Sequence, residues 1–333
     1  MYKVCIRCYT YNQSRFIKDA LNGFATQQSD FPFVAAIIDD ASTDNEPQIL
    51  KEFFEENFIP EVTETAYREE TAFGTVLFGR HITNKNCFFA IVLLKENHFR
   101  ARKPKFPYLS RWMDGAEYIA VCEGDDYWVD SRKLQKQVDF LDAHEDFTLC
   151  FHPVKVLDQK SNRFHEDDLP NVHEYPSIED LIKQNFIHTP SVVYRNLESI
   201  ARKKNYVTGS VVGDYPHWLI CASEGRLYRM DAPMAVYRSG VGIWSSSQLS
   251  YERKVIEWII TLSKVSSVFD NPEHRRLINE EILKFKKSLL LNIQQYQDDA
   301  KQARSSKAYR LGASFLRPFK YVRRLFKSHQ GKV

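Results

Sequence analysis

The first half of the chain contains short apolar runs that each end in polar residues. Val4, Ile6 and Cys8 recur at every second position of a first predicted strand, and residues 33–38 form a continuous apolar run. Between these two predicted strands, apolar positions recur with helical spacing over residues 17–24. The order strand, helix, strand predicts a right-handed crossover unit whose ligand site lies at the carboxyl ends of parallel strands. A third run, residues 118–122, is typical of a strand covered on both faces.

Three carboxylates follow the third run within four positions, at Glu123, Asp125 and Asp126. Carboxylates this close repel one another unless a cation lies between them, and their oxygens are the ligands that Mg²⁺ or Mn²⁺ selects. Tyr127 and Trp128 come next and could shield such a site or stack on a substrate ring. The spacing alone leaves a metal site and an ordinary charged turn both open.

Four motifs give roughly residues 2–245 a resemblance to a known family. They are TYNQ at residues 10–13, DDASTD at residues 39–44, EGDDYW at residues 123–128 with KLQKQV at residues 133–138, and Gly213-Asp214. In this order and spacing they resemble the family-two glycosyltransferases. The resemblance implies a GT-A fold, which is a Rossmann-like α/β domain with a mixed, mostly parallel sheet flanked by helices.

The same resemblance implies an activity. We expect metal-dependent, inverting transfer of a sugar from a nucleoside diphosphate donor, with UDP as the expected nucleotide, to a hydroxyl of a glycan or lipid-linked acceptor. The expected products are surface polysaccharide or glycoconjugates of a bacterial cell envelope. A non-catalytic sugar-nucleotide-binding protein remains the alternative, because a sequence does not show turnover. A phosphatase or nucleotidyltransferase is disfavoured, because residues 8–11 lack the aspartates or the glycine-rich basic loop expected there.

The resemblance also assigns roles around the donor. Asp125 would hold Mn²⁺ or Mg²⁺ with Asp126, and Glu123, where relatives usually have Asp, would contact the nucleotide ribose or a metal-bound water. Asp40 would accept hydrogen bonds from the base. Residues lining the base pocket would be Thr10, Tyr11 and Asn12. Arg100 or Lys103 could neutralise the diphosphate, although the pattern favours a solvated surface loop for these residues.

On the acceptor side, Asp214 occupies the position of the catalytic base. A positioned carboxylate that takes the proton of a sugar hydroxyl contributes roughly 10²–10⁴-fold to the rate. The alternative is that Asp214 only caps the helix that follows it. His188 is a candidate substrate contact or a structural histidine, and Tyr127 and Trp128 are candidate substrate contacts.

Composition separates an acidic body from a basic tail. The 333-residue chain carries a formal net charge of +3, but residues 301–333 contain ten Lys and Arg and no acid, so the first 300 residues carry a net −7. The tail predicts peripheral contact with an anionic membrane surface. A solvated tail, docking on the acidic body and RNA binding are the alternatives, and we expect no nucleic-acid partner.

The remaining features concern location and domain organisation. No apolar run approaches the ~20 residues of a membrane span, and the first strand begins at once, so we expect a cytoplasmic protein, at most peripheral to the inner face of the membrane. Six dispersed cysteines do not predict a disulfide scaffold. We expect a catalytic domain over residues 1–245, a helical hairpin over 246–300 through which the protein could oligomerise, and the amphipathic tail at 301–333.

Overall fold

The computed structural model describes residues 1–58, 66–167, 172–207, 213–242 and 250–306. The chain divides into two compact units, Met1–Glu281 and Ile282–Val333. Apart from residues 301–306, the predicted basic tail lies outside the described residues.

The strands are numbered along the chain. They are β1 (Val4–Thr10), β2 (Phe33–Asp39), β3 (Tyr67–Glu70), β4 (Gly74–Arg80), β5 (Cys87–Leu94), β6 (Tyr118–Val121), β7 (Tyr127–Trp128), β8 (Phe147–Phe151), β9 (Lys155–Asp158), β10 (Arg163–His165), β11 (Val193–Arg195), β12 (Arg226–Arg229) and β13 (Ala235–Ser239).

The helices are numbered in the same way. They are α1 (Ile17–Ala25), α2 (Glu46–Asn57), α3 (His98–Ala101), α4 (Ser110–Met113), α5 (Lys133–Ala143), α6 (Ile178–Lys183), α7 (Glu198–Tyr206), α8 (Tyr215–Glu224), α9 (Tyr251–Val268) and α10 (Pro272–Ser305). Helix α10 begins in the first unit and supplies the described part of the second, where it exposes Leu290 and Leu291.

A mixed sheet forms the centre of the first unit, in the order β12-β8-β11-β6-β1-β2-β5-β4-β3. Strands β6, β1, β2 and β5 run parallel, whereas β11 and β4 run antiparallel to their neighbours. A smaller sheet joins β10, β9, β13 and β7. The predicted α/β fold, with a mostly parallel sheet, flanking helices and C-terminal helices, is confirmed.

Both faces of the central strands are buried. Every residue of β2 is buried, as its continuous apolar run predicts for a strand covered on both sides. On one face, Ile6 and Cys8 of β1 share a core with α1 and α5. On the other face, α8 packs Trp218 against Tyr194, with ring centroids 6.3 Å apart. The parallel strands are thereby fixed, and their carboxyl ends lie at one edge.

Prolines interrupt two runs of residues that could otherwise form longer strands. Residues 187–194 form a 3₁₀ turn, Thr189–Ser191, followed by the short β11. Within residues 147–156, β8 ends at Phe151 and β9 begins at Lys155. Pro190 and Pro153 interrupt these runs because proline has no N–H to donate to a strand ladder.

Within the described ranges, none of the helices combines the length and the hydropathy needed for a membrane crossing. All six cysteines are buried free thiols.

A lysine is buried in this core. Lys133, at the start of α5, is fully buried; its ammonium donates to Gln137 Oε1 at 2.6 Å and lies 4.3 Å from the ring centroid of Trp128. Burial lowers the pKa of Lys133 from its usual 10.5 to about 7. Between these values the unfolded chain binds more protons than the folded protein. This residue therefore makes the free energy of unfolding rise with pH across that window.

We expect Lys133→Met to remove this pH dependence. The difference in free energy of unfolding, variant minus wild type, should fall by about 2–4 kcal/mol between about pH 6 and pH 10, at about 1.4 kcal/mol per pKa unit. Urea denaturation across this range measures it, and Lys136→Met, whose side chain is 46% exposed on the same helix, is the control for losing a lysine. A constant difference across the range would contradict a buried, partly neutral Lys133.

Candidate active site at the carboxyl edge of the sheet

The strand register brings three of the sequence motifs to one edge. Thr10, the last residue of β1, pairs with Asp39, the last residue of β2. The backbone N–H of Asp40 donates to Thr10 O at 3.0 Å. On the other side, the N–H of Gly124 donates to Tyr9 O at 3.2 Å. The TYNQ segment (residues 10–13), the DDASTD segment (residues 39–44) and the acidic turn (residues 123–126) are therefore neighbours.

A buried carboxylate ties the first two of these segments together. Glu46, at the start of α2, is fully buried and accepts hydrogen bonds from Thr10 Oγ1, from the Gln13 N–H at 2.8 Å and from Ser42 Oγ at 2.9 Å. Burial raises its pKa. Asn12 adds a second link, because its Oδ1 accepts the Thr43 N–H at 2.7 Å. These hydrogen bonds thus fix the TYNQ segment, which would line a base pocket.

The Asp40 carboxylate organises the loop after β5. It is 1% exposed and accepts the backbone N–H groups of His98 at 2.7 Å and Phe99 at 3.1 Å. Lys105 Nζ also donates to it at 3.1 Å and lies 4.9 Å from the ring centroid of Tyr9. Both oxygens of Asp40 thus already accept protein hydrogen bonds, and its predicted contact with a base stays a prediction.

The basic residues between β5 and β6 separate into two groups. Lys103 pairs with Glu96 at the surface. The Arg100 guanidinium lies 5.8 Å from the ring centroid of half-buried Tyr11, which keeps it beside the TYNQ segment. Lys105 reaches deepest, and the sequence pattern did not single it out.

The acidic turn concentrates negative charge in a confined place. Glu123 Oε2 accepts the Tyr9 N–H at 3.1 Å; burial chiefly raises its pKa to about 7, against the lowering effect of Arg7. Burial also raises the pKa of Asp125. The pKa of Asp126 is raised well above its usual value by burial and then by the charges of Asp125 and Glu123. A cation at this turn would relieve that repulsion.

An arginine distant in sequence holds the turn in shape. Arg238, on β13, is 5% exposed; its backbone N–H donates to Asp126 Oδ1 at 2.8 Å and its guanidinium to Asp125 O at 2.6 Å. The guanidinium also pairs with Asp19 on α1. It lies 5.0 Å from the ring centroid of Phe16 and 4.5 Å from that of Tyr127. Tyr127 therefore covers a structural arginine.

The residues of the turn suit a divalent ion that also binds substrate. Within the described ranges, no group of three or more His, Cys, Asp or Glu side chains forms a metal cage. Mg²⁺ and related ions at phosphate sites commonly use one or two carboxylates and take their other ligands from phosphates and water. Asp125 and Asp126 offer those two carboxylates. Burial raises the pKa of both, and a cation bound there would stabilise their charged forms.

Trp128 occupies the core. It is 4% exposed, packs edge-on against Phe24 with centroids 4.9 Å apart, and donates from Nε1 to Pro190 O at 2.9 Å. A ring buried in this way does not present a surface for the predicted contact with substrate. The ring instead supports the acidic turn from beneath.

Asp214 begins α8 on the far side of the edge. Its Oδ1 accepts the Tyr215 N–H at 2.8 Å, so the capping interaction is present, and its Oδ2 accepts Thr189 Oγ1 at 2.9 Å. The carboxylate is half-buried. The adjacent His188 is 13% exposed and has Nε2 2.8 Å from Asp167 Oδ1. The 3₁₀ turn therefore orients Asp214 and carries the histidine.

Arg7 connects the two halves of the site. It lies on β1 and is 8% exposed. Burial alone would lower its pKa, but nearby acidic groups raise it. These are Tyr9, Tyr194, Glu123 and Asp214. The same guanidinium is thus within electrostatic reach of the acidic turn and of the base candidate.

A separate cavity of about 610 Å³ lies at the amino ends of the strands, lined in part by Asn22, Phe53, His81 and Asn84. The acidic turn and Asp214 lie at the opposite edge. The charged side chains and the shifted pKa values described above lie at that edge, and we place the candidate active site there.

Comparison with solved structures gives this arrangement a context. Staphylococcus aureus TarS in complex with UDP-GlcNAc superposes with a TM-score of 0.58 at 17% identity, over 86% of this chain and 73% of TarS 1–349. The mannosyltransferase PcManGT of Pyrobaculum calidifontis, in complex with GDP-Man and Mn²⁺, gives 0.52 at 14% identity, over 94% of this chain and 84% of that one. The chain has a GT-A-like glycosyltransferase fold.

Sequence relatives of this GT-A-like chain are longer proteins. It is 35% identical over 246 residues to the uncharacterized protein Rv1520 of Mycobacterium tuberculosis and, equally, to Mb1547 of Mycobacterium bovis. The match covers 72% of this chain and 59% of each relative. No family model matches the sequence.

Sequence reasoning missed three cations of this candidate site, namely Arg7, Lys105 and Arg238. Arg7 interrupts an otherwise apolar strand, which was an available signal. Arg238 and Lys105 reach their partners across more than 60 residues of chain, so no local spacing indicates them.

Gly124 offers a steric test of the acidic turn. A Cβ built there would lie 2.3 Å from Thr10 Oγ1 and 2.5 Å from Gln13 Oε1. Glu46 restrains Thr10 Oγ1 and the Gln13 backbone N–H by hydrogen bonds, and Thr10 Oγ1 lies 2.8 Å from Gln13 Oε1. We expect Gly124→Ala to lower the free energy of unfolding by about 1–3 kcal/mol. The matched control is Gly213→Ala, where no atom lies within 4 Å and the expected change is within about 0.5 kcal/mol. Equal changes in urea denaturation would contradict the close packing.

Proposed function

We propose that the protein is a metal-dependent, inverting glycosyltransferase that moves a sugar from a nucleoside diphosphate donor to an acceptor hydroxyl. One observation carries this proposal: the acidic turn and Asp214 lie at the same edge of a GT-A-like sheet, linked by the charge of Arg7. The bound ligands named for the structural neighbours, UDP-GlcNAc and GDP-Man, support a nucleotide-sugar donor.

The donor nucleotide would lie against the TYNQ segment. Tyr11 and Asn12 line the edge beside Arg100, and we propose that UDP is the nucleotide. Lys105 is a cation close to both Asp40 and Glu123, because it donates to the first and lowers the pKa of the second. It is therefore the better candidate than Lys103 to meet a phosphate or ribose oxygen.

Asp125 and Asp126 would hold Mn²⁺ or Mg²⁺. When bound, such an ion neutralises the charge that grows on a diphosphate leaving group. The chain's own contribution is to keep the two carboxylates in place. Arg238 holds Asp126 and the Asp125 backbone, and a hydrogen bond from the Gln13 side chain acts on the Asp125 carboxylate.

Asp214 would act as general base. Thr189 Oγ1 and the Tyr215 N–H orient its carboxylate, which takes the proton of the acceptor hydroxyl. The acceptor oxygen forms the new bond to the anomeric carbon while the bond from that carbon to the diphosphate oxygen breaks. A single displacement of this kind inverts the anomeric centre.

The acceptor would lie near His188 and the 3₁₀ turn beside Asp214. We propose a hydroxyl of a glycan or a lipid-linked glycan in bacterial envelope synthesis, with the enzyme in the cytoplasm. The alternative is a protein that binds a nucleotide sugar without turning it over. Asp214 favours catalysis, because pure binding of a donor has no need of a second carboxylate on the acceptor side.

Release of nucleoside diphosphate tests the donor half of the proposal. Incubated with Mn²⁺ and a panel of UDP- and GDP-sugars, the protein should release UDP or GDP from at least one donor by slow transfer of the sugar to water, and EDTA should abolish the release. Asp125→Asn should reduce it about 100-fold and weaken Mn²⁺ binding measured by calorimetry. Release that persists in EDTA would contradict the metal dependence.

Asp214→Asn separates catalysis from binding. We expect the turnover number to fall roughly 10²–10⁴-fold, because the amide takes no proton, while donor affinity changes less than about threefold. Asp231→Asn, at a side chain that is 97% exposed, is the matched control. Near-normal transfer by Asp214→Asn would overturn its role as base, and loss of donor binding would assign it a donor-side role.

A further inference from the structure

Arg7 is a buried residue that carries a positive charge. Arg7 is only 8% exposed, and among the described residues its Nε has no hydrogen-bond partner. No hydrogen bond or ion pair joins its guanidinium to any other described side chain. An arginine stays charged in proteins, and a buried donor without an acceptor is costly, so such a group calls for an explanation.

The surroundings of Arg7 place it between donor and acceptor carboxylates. It lies on the face of β1 opposite Ile6 and Cys8, which point into the core shared with α1 and α5. Its register partner on β6 is Val121, two residues before Glu123. On the same face, the N-terminus of α8 presents Asp214, and both carboxylates act on the guanidinium. Arg7 therefore lies between Glu123 of the acidic turn and Asp214 at the start of α8.

We propose that Arg7 is a donor-sugar contact, whose guanidinium donates hydrogen bonds to hydroxyl oxygens of the transferred sugar. This inference rests on the proposed function, because it assumes that a nucleotide sugar binds at this edge. Substrate oxygens would supply the acceptors that the described residues do not. The neighbouring Tyr9 ring, with its centroid 5.2 Å away, supports the guanidinium without accepting a hydrogen bond in its plane.

The charges around Arg7 favour a neutral sugar. Glu123 and Asp214 bring two carboxylates to one guanidinium, and Asp125 follows within the same turn. A sugar carboxylate would add a further negative charge to a confined site, whereas hydroxyl groups accept from arginine without that repulsion. The substrate class is therefore a neutral hexose or N-acetylhexosamine, and a uronic acid is disfavoured.

The test compares the nucleotide with the nucleotide sugar. Calorimetry with Mn²⁺ measures the affinities of the full-length protein for UDP, UDP-glucose, UDP-GlcNAc and UDP-glucuronate, with GDP and GDP-mannose as the second pair. In Arg7→Met, we expect the affinity for the free nucleotide to change less than about twofold. The affinity for the neutral nucleotide sugar should fall about 10- to 100-fold, the range for hydrogen bonds to a charged group.

Two further variants separate contact from structure. Arg7→Lys keeps the charge and should recover part of the sugar-dependent affinity. Lys105→Met should lower the affinities for nucleotide and nucleotide sugar by the same factor, because its ammonium lies on the nucleotide side beside Asp40. Thermal unfolding of each variant shows whether it is folded at the assay temperature.

The outcomes are distinct. A nucleotide-sugar affinity that is unchanged in Arg7→Met, or one that falls by the same factor as the nucleotide affinity, would overturn the role of Arg7. Wild-type preference for UDP-glucuronate, lost in Arg7→Met, would overturn the assignment to neutral sugars. Wild-type protein that binds neither nucleotide nor nucleotide sugar would instead refute the proposed function itself.

Discussion

Buried negative charge at the carboxyl edge of the sheet is the constraint on which the rest of the site depends. Glu123, Asp125 and Asp126 lie within one turn, and burial raises the pKa of each. Such a turn is stable only if neighbouring groups fix its backbone and offset its charge. Arg238 does this for Asp125 and Asp126, and Arg7 lowers the pKa of Glu123.

The fold makes this concentration of charge possible. Parallel strands β6, β1 and β2 end together, so segments far apart in sequence meet without long connecting loops. The core on both faces holds the strand ends in register, and Glu46 and Asp40 convert the loops beyond them into a fixed rim. Glu46 and Asp40 are themselves buried, and their hydrogen bonds hold the loops that surround the acidic turn.

Much of this could be predicted from contiguous patterns, and the rest could not. Strands β1, β2 and β6, the parallel crossover between the first two and the acidic turn follow from apolar runs and the residues that end them. Lys105 and Arg238 could not be found in this way, because each meets its partner only after the sheet has formed. Trp128 shows a different limit. An aromatic ring after an acidic turn suits a substrate platform or a core plug equally, and only its 4% exposure decides between them.

The partners of the carboxylates differ across the site in a way that suits opposite tasks. Asp126 and the Asp125 backbone are clamped by Arg238, which favours carboxylates that stay fixed while a substrate binds. Asp214 is oriented by a threonine hydroxyl and a backbone N–H, both of them neutral donors. In the proposed mechanism, these two neutral donors would fix the direction in which the Asp214 carboxylate points. The site would then divide between a donor side, on which Arg238 clamps the acidic turn, and an acceptor side, on which neutral hydrogen-bond donors orient Asp214.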